Sequence, residues 1–536
     1  MTKKTFALFL VVLLLAVTGL FAGGNQAAGS ANDGAVRITA TYAHFGGIPT
    51  DTIVGKAWHA LMEQKTGQKL DIVWNYIPYA EYAEKINVIL ATNDLTDLTF
   101  IMSRSIAAPY EGQGVFVNLA EHWAKLPAYN AFLKQVPYGM EKVANSDGTI
   151  YGLFGGETPR LSQGVAINAT PAIRYDVFQR LGIKVPGTVD EVLDAARKLK
   201  AAYPGKYPVH FGHGWWALSI LNTYKTSQGI YWDGSRYVFG PLSDNYRAAL
   251  TLLNRLYTEG LLDPESFTDN DDTRTRKALN GDAQMLLGIW FNTIDDWNTN
   301  TEANVNWALI PAVSDPAYGT PWQSVQNENE YVVAHNGEAT YIKAGARNLD
   351  TLLKIGDASY DPETIRLISW GIEGQTYTVK ADGTPTFMDN IRNSPKGSFW
   401  IAGDDWGMRA SSKYRPGLQG PIDARNFLDC APPQNAVING QFVQTPYETA
   451  FPDEPWPTSP WISPNLFAPP IAFTPDENNA NSSIMTAVNT YVTEETMKFI
   501  TGERNFNQWN AFTAQIRNLN IQTVLDMYNR KAAPYK

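Results

Sequence analysis

A strand–helix–strand–helix–strand alternation near the start of the chain restricts the fold more than any other feature. Val36 to Tyr42 is β-rich and runs into the turn-prone Gly46-Gly47. Asp51 can cap a helix in which Val54, Trp58 and Leu61 recur at helical spacing, with Gly67 as its stop. Leu70 to Tyr76 is the next strand. A helix around Tyr82, Ile86, Ile89 and Leu90 follows, and then the short apolar strand Leu98 to Met102. Alternation of this kind predicts an α/β fold, with a parallel sheet covered by helices on both faces.

A second α/β pattern begins further on. Val165 to Asn168 reads as a strand and is followed by a helix that turns Phe178 and Leu181 inward and ends at Gly182. Thr188 to Glu191 has the spacing of a capping box, in which hydroxyl and carboxylate satisfy each other's backbone donors. Val192, Ala196 and Leu199 mark the buried face of the helix it starts. Pro208 to Phe211 is a strand entering the glycine-bracketed Trp215-Trp216. Ala249, Leu252, Leu253 and Leu256 form another amphipathic helix, closed by Gly260 with Pro264 beyond. From Ser394 to Pro475 the chain is rich in Pro, Gly and Trp and has little periodicity, which predicts irregular segments packed over a lobe and across a cleft. The end returns to helix, with Trp509, Phe512, Ile516 and Leu519 on one stripe.

The N-terminus points to export. Lys3 and Lys4 precede an apolar run from Phe6 to Phe21, and the small residues Ala22, Gly23 and Gly24 follow. This is the layout of a cleavable signal peptide over residues 1–28. The run is short against the roughly 20 residues of a spanning helix. No cysteine lies near it to carry a lipid, and the single cysteine, Cys430, rules out an intramolecular disulfide. A periplasmic or extracellular, freely diffusing protein is the expectation. A net charge of −10 argues against nucleic acid, whose phosphates need clustered Lys and Arg.

Several segments, in order, resemble the family 1 extracellular solute-binding proteins of ABC importers, in their long, lipoprotein-type, carbohydrate-binding branch. They are Ile173 to Ile183 around Tyr175 and Asp176, the capped helix from Pro186 to Leu199, and Tyr257 to Pro264. Lys277 to Met285, Trp370 to Tyr377 with its Gly371, Glu373 and Gly374, and Phe499 to Gly502 with Trp509 complete the series. The lipid-bearing cysteine of that branch is absent here. The resemblance implies a two-lobed periplasmic-binding-protein fold (type II-like) with the ligand cleft between lobes joined by a hinge. The lobes fall at 36–160 plus about 306–390 and at 165–305 plus about 391–536, with the irregular 394–475 segment in the second. It also implies a monomer that hands its solute to the permease subunits of an importer, with no enzyme activity and no cofactor.

A sugar offers a patch of C–H bonds on one face and hydroxyls at its edge, so aromatics beside polar groups at strand ends are the candidate ligand contacts. They are Tyr42 and His44 after the first strand, Trp74 and Tyr76 at the end of the second, and Arg104 after the third. Trp215, Trp216, Trp290, Asn292, Glu373 and Trp406 complete the set. Each has a plain structural alternative: a tryptophan can fill a core, and Glu373 can cap a helix. Arg104, Arg160 or Arg174 could pair with a uronate carboxylate or with a protein carboxylate.

Other chemistries fit less well. Asp269 to Asp272 fails as a calcium loop, because Arg274 stands where glycine is required and Asn280 where the bidentate glutamate belongs; capping by Asp271 or Asp272 is the better reading. His210 and His213 have no third ligand nearby in sequence for zinc. No phosphate loop or nucleophile elbow is present. The alternatives are a secreted glycoside hydrolase or lyase, which needs two carboxyl groups about 5–9.5 Å apart and could draw on Glu373, Asp404 and Asp405, or the same binding fold with a peptide or other small polar ligand.

Overall fold

The computed structural model describes residues 34–44, 49–135, 139–157, 170–212, 219–289, 293–299, 302–319, 338–392, 405–408, 421–423, 426, 429, 434–438, 440–445, 469 and 471–535. Among the described residues, no helix is long and apolar enough to cross a membrane.

Strands β1 (Val36–His44), β2 (Leu70–Pro78), β3 (Leu98–Ser103) and β4 (Gly152–Phe154) join the later strand Glu338–Ile342 in a five-stranded sheet, ordered β2-β1-β3-(338–342)-β4. A six-stranded sheet is ordered 441–445, 434–438, 307–309, 170–174, 285–289, 209–212. β1 is parallel to both β2 and β3, as the alternation requires. The expectation of wholly parallel sheets fails at the returning strands. Strand 338–342 runs antiparallel to β3 and β4, and strand 170–174 runs antiparallel to 285–289. Each of these two enters its sheet beside the carboxyl end of a neighbour: Glu338 pairs with Ser103, and Thr170 with Ile289. A chain arriving at that edge can only run away from it.

Two hydrophobic cores follow. One is built from residues within 38–154 and 339–368, with Ile422, around the fully buried Trp58, Phe100, Phe154 and Tyr341. The other takes residues within 173–313 and 488–525, with Val437. Two boundaries read from the sequence are corrected. Ala308, Ile310 and Val313 belong to the second core, because strand Trp307–Leu309 pairs with Thr170–Arg174. Ile422 and Met408 pack on the first lobe, not the second, and strand Pro421–Ile422 pairs with Gly156–Glu157.

Local signals explain most helices. Ile53–Thr66 starts where the Thr52 hydroxyl accepts from the Gly55 amide at 3.0 Å, not at Asp51, and stops at Gly67 with φ +70°. Thr188 caps Val189–Ala202, but the Glu191 carboxylate turns to the Gly187 amide at 2.8 Å, so the box is only half formed. A complete box occurs at Thr474 and Glu477, opening the 27-residue helix Pro475–Thr501. That helix buries Val488, Val492, Phe499 and Ile500 in the second core and also packs on the turn Ala108–Tyr110 of the first lobe.

Candidate functional site

An aromatic cluster runs from the middle of β1, β2 and β3 toward their carboxyl ends, with polar groups at its margin. The β1–β2 register sets Ala40 beside Trp74 and Tyr42 beside Tyr76. Residues two apart on a strand share a face, so Trp74 and Tyr76 stack on one another with ring centroids 5.7 Å apart and planes 16° apart. Trp74 also tilts against Trp58 and Phe100, and His44 meets Tyr76 edge to face at 6.4 Å. Trp74, Tyr76 and His44 are half-buried, leaving part of each ring at the surface.

Polar partners tie this cluster down. The Tyr76 hydroxyl shares a 2.6 Å hydrogen bond with the Thr50 hydroxyl, and burial pushes its pKa up to about 12. Tyr76 therefore remains a neutral hydrogen-bonding phenol. Tyr79, 42% exposed, donates to the carboxylate of Glu338 at 3.2 Å. Glu338 is 3% exposed and stands opposite Ser103 at the end of β3. Just before that end, Ile101 adopts φ +61° where the pairing with 338–342 shifts register. This is costly for a β-branched residue; a bulge of this kind re-aims the residues that follow. The half-buried Trp406 lies apart from this cluster: its carbonyl accepts from the Val54 amide at 3.0 Å, and its ring packs with Val54, Trp370, Tyr377, Phe387 and Met408.

Three further expected contacts fall elsewhere. Tyr42 is 1% exposed, its ring enclosed by Trp74, Tyr76 and Phe100, so it supports the cluster from within the core. Arg104 spends its guanidinium on the Lys142 carbonyl at 2.6 Å and the Asn145 side chain at 2.9 Å, over the Phe154 ring. Glu373 lines a cavity of about 470 Å³ between helices Ile53–Thr66 and Pro362–Trp370, with Gln64, Arg366 and Tyr377, a lining that includes none of the strand-end residues. Arg174 likewise forms a two-pronged pair with Asp176 at 2.8 Å. Trp215, Trp216, Trp290 and Asn292, with Arg160 and Asp404, lie outside the described residues. The strands that precede the first four in sequence, Val209–Gly212 and Met285–Ile289, are parallel, and both end at the edge where Thr170 enters.

The sequence reading missed Thr50, Tyr79 and Glu338. Tyr79 was within reach, since carrying β2 two residues further to Pro78 makes it a strand-end residue. Glu338 opens a strand whose direction is set by the other lobe, and nothing local announces it. In the Asp269–Asp272 segment the cap is Asn270, which accepts from the Thr273 amide at 2.9 Å; Asp271 and Asp272 occupy the first turn.

Residues 49–351, more than half of the chain, match the family model for bacterial extracellular solute-binding proteins. The polygalacturonan/rhamnogalacturonan-binding protein YtcQ of Bacillus subtilis (strain 168) is 23% identical over 70% of this chain and 75% of its own length. A fructooligosaccharide ABC transporter substrate-binding protein, FusA of Streptococcus pneumoniae, is 23% identical over 58% of this chain and 59% of its own. Among solved structures, an alginate-binding protein superposes with a TM-score of 0.73 at 18% identity, covering 94% of this chain and 99% of that one. FusA in complex with kestose gives a TM-score of 0.71 at 16% identity, covering 93% and 99%. These neighbours share the two-lobed fold.

Proposed function

We propose, because the chain belongs to the bacterial extracellular solute-binding protein family, that it captures a carbohydrate between its two lobes and delivers it to the permease of an ABC importer. The observation that carries this reading is the stacked Trp74–Tyr76 pair with His44, flanked by Thr50, Tyr79 and Glu338 at the strand ends beside which the chain returns from the other lobe. Rings of this kind suit the C–H face of a sugar, and the hydroxyls and carboxylate suit its edge. The relatives support the choice of cargo, since two of them are carbohydrate binders by name. Lobe closure would remove the bound sugar from water. The protein acts without changing its cargo, as an exported monomer whose partner is the permease.

The test is a thermal-shift screen of the chain lacking residues 1–28 against trigalacturonate, alginate oligosaccharides, kestose and short peptides. A ligand bound only by the folded state adds about 2.7 kcal/mol at one hundred times its dissociation constant. The expected result is that one glycan raises the melting temperature and is recovered intact. A shift from peptides alone would remove the sugar from the account, and recovery of cleaved glycan would make the protein a hydrolase or lyase.

A further inference from the structure

Two acidic residues stand at the margin of the aromatic cluster, and one of them is buried. Glu338 opens the strand Glu338–Ile342 and is 3% exposed. In the sheet order β2-β1-β3-(338–342), β1 and β3 lie between it and Tyr79, the residue that directly follows β2. The register sets Pro78 beside His44, and Ser103 beside Glu338. The 3.2 Å hydrogen bond that Tyr79 donates to Glu338 therefore crosses the carboxyl ends of both β1 and β3. Asp51 is the second acid, close to the Tyr76 phenol: burial raises the pKa of that phenol, and the Asp51 charge adds to the rise. Glu338 acts in the same way on the buried Tyr82, whose pKa is raised first by burial and then by that charge.

The cation at the end of β3 faces away from the cluster. Arg104 directly follows that strand, but its guanidinium donates to the Lys142 carbonyl and the Asn145 side chain and lies over the Phe154 ring. Its charge opposes the effect of burial on Glu111, Tyr129 and Tyr341, three groups inside the first lobe. The positive charge after β3 is thus turned inward, while the carboxylate paired opposite the end of β3 stays at that edge.

We propose that Glu338 is a specificity-determining residue: its carboxylate, held across the strand ends by Tyr79, selects a neutral oligosaccharide over an acidic one. The inference deepens the sugar-capture reading and rests on it for the place of binding. A carboxylate only accepts, so hydroxyls are what a sugar can bring to it. A hydroxyl that donates to it makes a charge-assisted hydrogen bond, stronger than one to a neutral acceptor. A uronate in the same place would set two carboxylates side by side at a buried position, where like charges repel with little screening by salt. The bond from Tyr79 keeps the Glu338 charge over the ends of β1 and β3, so the discrimination is built into the first lobe.

The test is calorimetric titration, at neutral pH, of the chain lacking residues 1–28 with matched pairs of glycans. The pairs are α-1,4-galactotriose with trigalacturonate and β-1,4-mannotriose with trimannuronate, and kestose serves as a further neutral sugar. Within a pair the rings differ only in carrying a hydroxymethyl group or a carboxylate. The neutral member should bind more tightly, by about tenfold or more. Glu338→Gln keeps an acceptor for Tyr79 and removes the charge. It should weaken the neutral sugar about tenfold, the loss of a charge-assisted hydrogen bond, and strengthen the acidic one, so that the preference collapses. Tyr79→Phe removes the bond but not the charge, and should weaken binding while the neutral member stays preferred. A wild type that prefers the acidic members, or a Glu338→Gln variant with the preference unchanged, would overturn the inference and leave sugar capture standing. Binding of none of these glycans, neutral or acidic, would remove the sugar-capture reading and the inference with it.

Discussion

Glu111 carries a carboxylate into the first lobe with 2% of its surface exposed. Asn145 donates to it at 2.8 Å and Arg104 lies near, yet burial dominates and raises its pKa. A raised carboxyl pKa means that the folded state binds the proton more tightly than the unfolded chain, so this group costs stability as pH climbs above its ordinary 4.5. Glu111→Gln keeps the acceptor and removes the charge. Urea unfolding should find the variant more stable than the wild type at pH 8, with the difference shrinking on acidification and gone below pH 4.5. An effect of opposite sign would mean that the attraction of the nearby Arg104 charge prevails over desolvation. The same residues explain why Arg104 could not be read correctly from sequence. Its place after β3 was legible; its partners Lys142 and Asn145, about forty positions on, were not. Trp74, Tyr76 and His44 were legible because a strand carries its ends with it. Tyr42, on the same face, is buried in the core, and sequence does not say how deep a strand residue sits.

At the scale of elements, the helix Pro475–Thr501 is the clearest case of a local signal with a distant consequence. At 1.5 Å per residue it is about 40 Å long; it packs on the turn Ala108–Tyr110 of the first lobe, and its second half is buried in the other lobe. Thr474 and Glu477 close its first turn, at 3.1 and 2.9 Å, and Lys531 holds Glu477 at 2.7 Å. Thr474→Ala should cost about 1 kcal/mol by urea unfolding, the usual worth of an N-cap hydroxyl. A cost near zero would mean that this end is frayed in solution. Helices announced themselves by period, cap and terminating glycine, as at Gly67, Gly182 and Gly260. Sheet direction did not, because 338–342 and 170–174 take theirs from the lobe the chain has just left. The hairpin of 434–438 and 441–445 sits inside the stretch read as irregular. Its Asn439-Gly440 is a strong two-residue turn signal, obscured by the prolines and tryptophans around it.

At the scale of the molecule, the proposed ligand site follows from the direction of the strands. Parallel strands bring their carboxyl ends to one edge, and open α/β sheets bind there. Here β1, β2 and β3 end at such an edge in one lobe, 209–212 and 285–289 in the other, and the chain re-enters each lobe beside those ends. The two-lobed plan was legible from two separate α/β patterns and from the ordered family segments. The points of exchange were not, because Val313 and Ile422 reveal their lobe only through packing. The most direct test of capture between the lobes is small-angle X-ray scattering of the chain lacking residues 1–28, alone and saturated with whichever of trigalacturonate or kestose binds. The account predicts that the radius of gyration contracts on saturation as the lobes close over the sugar. An unchanged scattering profile at demonstrated saturation would contradict it and place the sugar outside a closing cleft.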